Sequence, residues 1–129
     1  MLGAGGALGG AALAAPAAAA LAAPAAVPRE VALLATYVAG TAYHEAGQAA
    51  AMLHPGDRLM LRREPRNDYD ARAIEVRTRA GAKLGYLPRI DNHALASLMD
   101  AGFELTARIR TIAHDPRQPD IRLEVTLTV

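Results

Sequence analysis

The sequence predicts a mainly β fold: a closed or nearly closed barrel of about six strands with two short helices. Three observations lead there. The last segment alternates strictly, with Ile121, Leu123, Val125, Leu127 and Val129 on one face and Arg122, Glu124, Thr126 and Thr128 on the other. That period of two belongs to a strand with one buried face. Similar short apolar runs recur upstream, separated by clusters of Gly, Pro, Asn and Asp, which break regular structure. Finally, the chain has 129 residues, no Cys, no Trp and a single Phe. Roughly 100 residues look foldable, enough for one domain whose core comes from Leu, Ile, Val and Ala, without disulfides or thiolate-zinc sites.

Each element has a local reason. Residues 31–38 form an apolar run of strand length that Gly40 ends. Tyr43 is expected in the loop just beyond, where its ring can face a ligand. Residues 45–53 favour a short helix, closed by His54-Pro55-Gly56-Asp57. Residues 58–63 read as a strand with Leu59 and Leu61 inward. Pro65 and Asn67-Asp68-Tyr69-Asp70 form a turn. From Ala73 onward, Ile74, Val76 and Thr78 share the core face, and Glu75, Arg77 and Arg79 share the solvent face. Residues 79–82 make a hairpin loop and residues 83–87 the next strand. Gly85 inside that strand marks a bulge or a close approach by a ligand or backbone. Asp91-Asn92 caps a helix running to about Ala101, with Leu95, Leu98 and Met99 on one face and Gly102 as its stop. Residues 104–112 are a strand with Leu105, Ala107 and Ile109 inward, and 114–120 turn the chain into the final strand. There is no internal repeat.

Charge is unevenly spread. The whole chain carries +1, yet residues 62–89 hold eight of its fourteen Lys and Arg (Arg62, Arg63, Arg66, Arg72, Arg77, Arg79, Lys83, Arg89) against four acids, a net +4. Tyr69 and Tyr86 lie among them. Cations for phosphates beside flat rings for bases suit a nucleic-acid strand. Residue by residue the alternatives stay open: Asp70 can simply cap the turn, the tyrosines can be half-buried sheet residues, and an arginine cluster can be a solvated face. Thirteen of the fourteen cations are Arg, which also fits a GC-rich genome.

The combination is more specific. Ala39-Gly40-Thr41-Ala42-Tyr43, then Gly56-Asp57, then Asn67-x-Tyr69-Asp70-x-x-Ala73-Ile74, then Lys83-Leu84-Gly85-Tyr86-Leu87-Pro88-Arg89 closely resemble the HIRAN domain, over about residues 31–129. The resemblance implies a modified OB-like barrel that binds DNA and has no catalysis of its own. In a eukaryotic member the domain captures the free 3′ end of single-stranded DNA. On matching positions, Tyr43 would stack on a terminal base and Asp70 would accept a hydrogen bond from the 3′-hydroxyl. Asn67 and Tyr69 would shape the pocket. Tyr86, where that member has a His, would line it, and Arg89, where it has a Lys, would meet a phosphate. Arg63, Arg66, Arg72 and Lys83 are further candidate phosphate contacts. The pattern departs at Ala42, where the eukaryotic domain carries an Arg beside the stacking Tyr.

Residues 1–28 carry no charge and are nearly all Ala, Gly, Leu and Pro. Ala is too weakly apolar for a stable span, and Pro16 and Pro24 break any long helix. The stretch reads as a leader core lacking its basic start, with a twin-arginine-like opening at Leu2-Gly3-Ala4-Gly5-Gly6, which suggests export and a true start codon upstream. A disordered Ala/Pro tail on a cytoplasmic protein is the alternative.

Other chemistries find little support. His44, His54, His93 and His114 have no ligand spacing, so neither a metal nor a cofactor is expected. There is no Gly-Lys-Ser/Thr phosphate loop, and Ser97, the only Ser, lies mid-helix. Any helicase, nuclease or zinc-linked activity would come from partner modules. Two competing readings remain. One is an exported envelope protein using the same pocket for another anion; the other is a nuclease built on Glu64, Asp68 and Asp70.

Overall fold

The chain runs through β1 (Glu30–Tyr37), a 3-10 turn (Thr41–Tyr43), α1 (Ala46–Ala50), β2 (Arg58–Glu64), β3 (Ala73–Arg77), β4 (Lys83–Tyr86), α2 (Arg89–Asp100), β5 (Glu104–Ala113) and β6 (Asp120–Thr128). This computed structural model describes residue 27 and residues 29–129. The leader reading of residues 1–28 thus lies, Val27 apart, outside the described residues. Among the described residues no helix is long and apolar enough to cross a membrane.

The six strands form one antiparallel sheet in the order β1-β6-β5-β2-β3-β4. Its two edges then meet. Ala39, just past β1, exchanges two backbone hydrogen bonds with Tyr86 on β4, at 2.7 and 3.0 Å. This seam closes the curled sheet into an OB-like barrel. It also explains Gly85: a Cβ there would stand 2.2 Å from the Ala39 carbonyl oxygen. The close approach expected at this glycine is to backbone. Inside the barrel, Leu59, Ile74, Val76, Leu84, Ile109, Ile121, Leu123 and Val125 make a continuous aliphatic core, and Leu95 of α2 packs against it. The alternation of β5 and β6 supplies their share, as expected. Thr126 and Thr106, on the other face, are nevertheless buried, with their hydroxyls 3.1 Å apart.

The helices depart from expectation in detail. α1 is shorter than the predicted 45–53, and Tyr43 belongs to the 3-10 turn rather than a loop. α2 begins at Arg89 with Pro88 as N-cap and no side-chain cap. Asp91 and Asn92 therefore lie inside the helix, because Pro88, with its fixed φ, already starts it. Its end is as predicted: Gly102 takes a positive φ, and the Gly102 and Phe103 amides reach back to the Met99 and Leu98 carbonyls.

β3 holds the main correction. Glu75 was expected in solvent with Arg77 but is only 2% exposed. The turn and α1 fold across this face: the Glu45 amide reaches the Lys83 carbonyl and its carboxylate takes the Lys83 amide, while the His44 ring packs edge-on against Tyr86. A period-two pattern cannot register a second layer contributed by a distant segment.

Candidate nucleic-acid interface

A cleft of about 370 Å³ lies beside the seam, lined by Ala39 from the end of β1, Asn67, Tyr69 and Asp70 from the β2–β3 turn, Tyr86 from β4, and Arg89 and Asn92 from α2. Five residues expected from the sequence thus converge. The turn is built by Asn67, whose side-chain oxygen takes the Tyr69 and Asp70 amides at 2.9 and 3.0 Å. This presents the Tyr69 ring to solvent, 87% exposed, and turns Asp70 inward. Tyr43 does not line the cleft. It projects from the turn after the seam, 85% exposed, one residue before the His44 that packs on Tyr86. Two rings so exposed are poorly explained by core packing.

Asp70 sits at the cleft's polar end. Its Oδ1 accepts the Arg72 amide at 2.9 Å and its Oδ2 accepts the Asn92 amide group at 2.8 Å. The Arg89 guanidinium stands 3.5 Å from the same Oδ2 and donates to the Tyr69 carbonyl. The Arg72 backbone bond, then Asn92 and Arg89, hold this carboxyl below its ordinary pKa and keep it ionised. Asn92, 3% exposed, is the site residue that sequence reading missed. An Asn near a helix start reads as a cap; its use as a donor from inside the helix depends on the tertiary approach of the β2–β3 turn.

The cations divide. Arg66 and Arg72, in the β2–β3 turn that supplies Asn67, Tyr69 and Asp70 to the cleft, are exposed and, among the described residues, their side chains have no polar partner. Arg63 serves the fold: its guanidinium bonds Asp100 and the Ala71 and Ala73 carbonyls. Lys83 is likewise engaged, donating to the Tyr86 hydroxyl at 2.7 Å, lying 3.5 Å from Glu75 and 4.5 Å from the Tyr86 ring centre. Both side chains, expected as phosphate contacts, have partners within the fold. Glu64 accepts from the Tyr86 hydroxyl at 2.8 Å and from Asn67 at 3.0 Å. Burial pushes this carboxyl up, but the Asn67 and Tyr86 bonds and neighbouring Lys83 outweigh it, so the net shift is downward. Burial and neighbouring Lys83 lower His44 from the usual imidazole range.

Glu64 and Asp70 therefore face different partners, and among the described residues no three His, Asp or Glu gather where an ion could sit. A carboxylate centre built on Glu64, Asp68 and Asp70 has no geometric support.

An OB-like barrel with a mainly apolar, ring-flanked cleft at its seam and Asp70 at its polar end belongs to a class of folds that bind oligonucleotides and oligosaccharides. The HIRAN domain family matches residues 31–129. A crystallised protein from Lactobacillus plantarum is 31% identical with a TM-score of 0.74, over 79% of this chain and 98% of that one. The crystal structure of the HIRAN domain of human HLTF is 24% identical with a TM-score of 0.63, over 77% of this chain and 78% of that one. The solution structure of the same human domain has 22% identity and a TM-score of 0.55 at the same coverage. No curated protein matches. The chain belongs to the HIRAN domain family, whose members are DNA-binding modules.

Proposed function

We propose that this domain binds single-stranded DNA and seats a free 3′ end in the cleft, with Asp70 accepting a hydrogen bond from the terminal hydroxyl. The observation that carries the reading is an ionised carboxylate held in a ring-flanked cleft. A carboxylate is a poor neighbour for phosphates unless it faces a hydroxyl donor. With about four acceptor positions, Asp70 keeps capacity after meeting Arg72, Asn92 and Arg89. A terminal phosphate would place roughly two negative charges there, so like charges reject it. Tyr43 and Tyr69 supply stacking surfaces, each worth roughly 1–3 kcal/mol per base and tolerant of sequence. With Ala42 where the eukaryotic domain has an Arg, backbone contacts fall to Arg66, Arg72 and Arg89.

Fluorescence anisotropy with short strands carrying a free 3′ end, a 3′-phosphate or only a free 5′ end tests this. The parent should prefer the free 3′ end. Asp70→Ala and Tyr43→Ala should each weaken it at least several-fold, roughly 1 kcal/mol or more, while circular dichroism stays native. Equal affinity of both variants and the parent for every strand would sink the assignment.

A further inference from the structure

A second groove begins where the cleft ends. Ala39, at the seam, lines both the cleft and a neighbouring groove of about 360 Å³ that also contains Tyr37 and Arg122. These two residues in turn line a third groove of about 310 Å³, together with Arg110. At the end of β1 and just past it, Thr36 and Val38 are buried, so Ala35, Tyr37 and Ala39 share the outer face. Two residues of strand separate Tyr37 from Ala39, a distance of roughly 7 Å. Tyr37 is 41% exposed, and Arg122, its partner in register on β6, lies over its ring at 5.2 Å. A flat ring with a guanidinium against it, on the same outer face as the cleft, is a platform for planar groups.

We propose that Tyr37 and Arg122 form a second base-stacking subsite, which receives the nucleotides running away from the cleft across the seam. This rests on the reading of the cleft as the seat of a strand end. The surrounding charges assign the subsite to stacking rather than phosphate attraction. Arg122 is paired with Asp120 at 2.9 Å and Arg110 with Glu124 at 3.3 Å, both half-exposed, and Asp91 lies nearby, bonded by Thr36. Acids therefore offset the two arginines. Exposed pairs of this kind hold their partners weakly, so the Arg122 plane can shift onto a base.

The test is the gain in affinity with strand length, measured on the full chain with oligothymidylates of about two nucleotides, too short to reach Tyr37 from the cleft, and about eight nucleotides, each with a free 3′ end. The parent should bind the longer strand more tightly. Tyr37→Ala should lose most of that gain, about five-fold or more at the lower end of stacking contributions, while leaving the short strand unaffected. Tyr37→Phe, which keeps the ring, should retain it. An unchanged gain in Tyr37→Ala, an equal loss at both lengths, or no gain in the parent would each overturn the subsite. Asp70→Ala serves as the control for the cleft itself: if it weakens neither strand, the underlying reading fails, whatever Tyr37 does.

Discussion

Asp70 and Glu75 lie five positions apart in one arginine-rich segment, yet they do opposite work. Asp70, in the β2–β3 turn, is fixed by Arg72 and Asn92 and faces an open cleft. Glu75, on β3, is sealed beneath the turn and α1, bonded to Arg77 and close to Lys83. The positive charge divides in the same way. Arg66 and Arg72 remain available to a ligand, whereas Arg63, Arg77 and Lys83 are used to satisfy the fold. A segment's net charge therefore says little about the charge its ligand meets.

The largest expected effect would come from the sealed side. Arg77→Ala leaves the buried Glu75 carboxylate without its bonded guanidinium, and removing one partner of such a pair costs about 3 kcal/mol, the lower end because Lys83 still stands 3.5 Å away. Thermal unfolding should show a melting point lower by roughly 10 °C or more. A loss of only a degree or two would mean that Glu75 and Asp70 are less different than their burial implies.

Asn92→Ala should act more gently, and on the other side of the comparison. Removing the donor to Asp70 should weaken binding of a free 3′ end about three- to ten-fold, the net range of one ordinary hydrogen bond because Asn92 acts through Asp70, with a smaller effect on 3′-phosphate strands. The sign with pH follows from the depressed carboxyl. The Asp70 contribution is fully present above the ordinary carboxylate pKa and is lost as pH falls through the lowered one. Without Asn92 that fall should move to higher pH, which a titration of affinity would reveal; coincident profiles would reduce Asn92 to a packing residue.

The smallest effect belongs to the free cations. Arg66→Ala should lower the salt slope of binding by about 0.7, the value for one phosphate on a single strand, without altering the melting point. The same substitution at Arg63 should instead lower stability, because Asp100 and two carbonyls lose their donor. Reversed outcomes for the two arginines would undo the division drawn above.

How much of this was legible follows from the range of each interaction. The β2–β3–β4 meander, the Asn67 turn, the Gly102 stop and the tight spot at Gly85 depend on neighbours in sequence, and local residue chemistry reveals them. The cleft was legible as a family pattern, since Asn67, Tyr69, Asp70, Tyr86 and Arg89 all line it. What escaped depends on distant contacts. Glu75 is covered by a segment thirty residues upstream, and Asn92 meets Asp70 across twenty-two positions. Arg63 and Arg66 are indistinguishable until α2 brings Asp100 to one of them.

The seam itself has a consequence. Among the described residues, two backbone hydrogen bonds between Ala39 and Tyr86 join the sheet's edge strands there. A strand lying from the cleft to Tyr37 would cross that join and act as a clasp on the barrel. Under mass action, occupancy by DNA then resists the opening of the very seam that shapes its seat. Ligand and scaffold would then hold each other shut at that join.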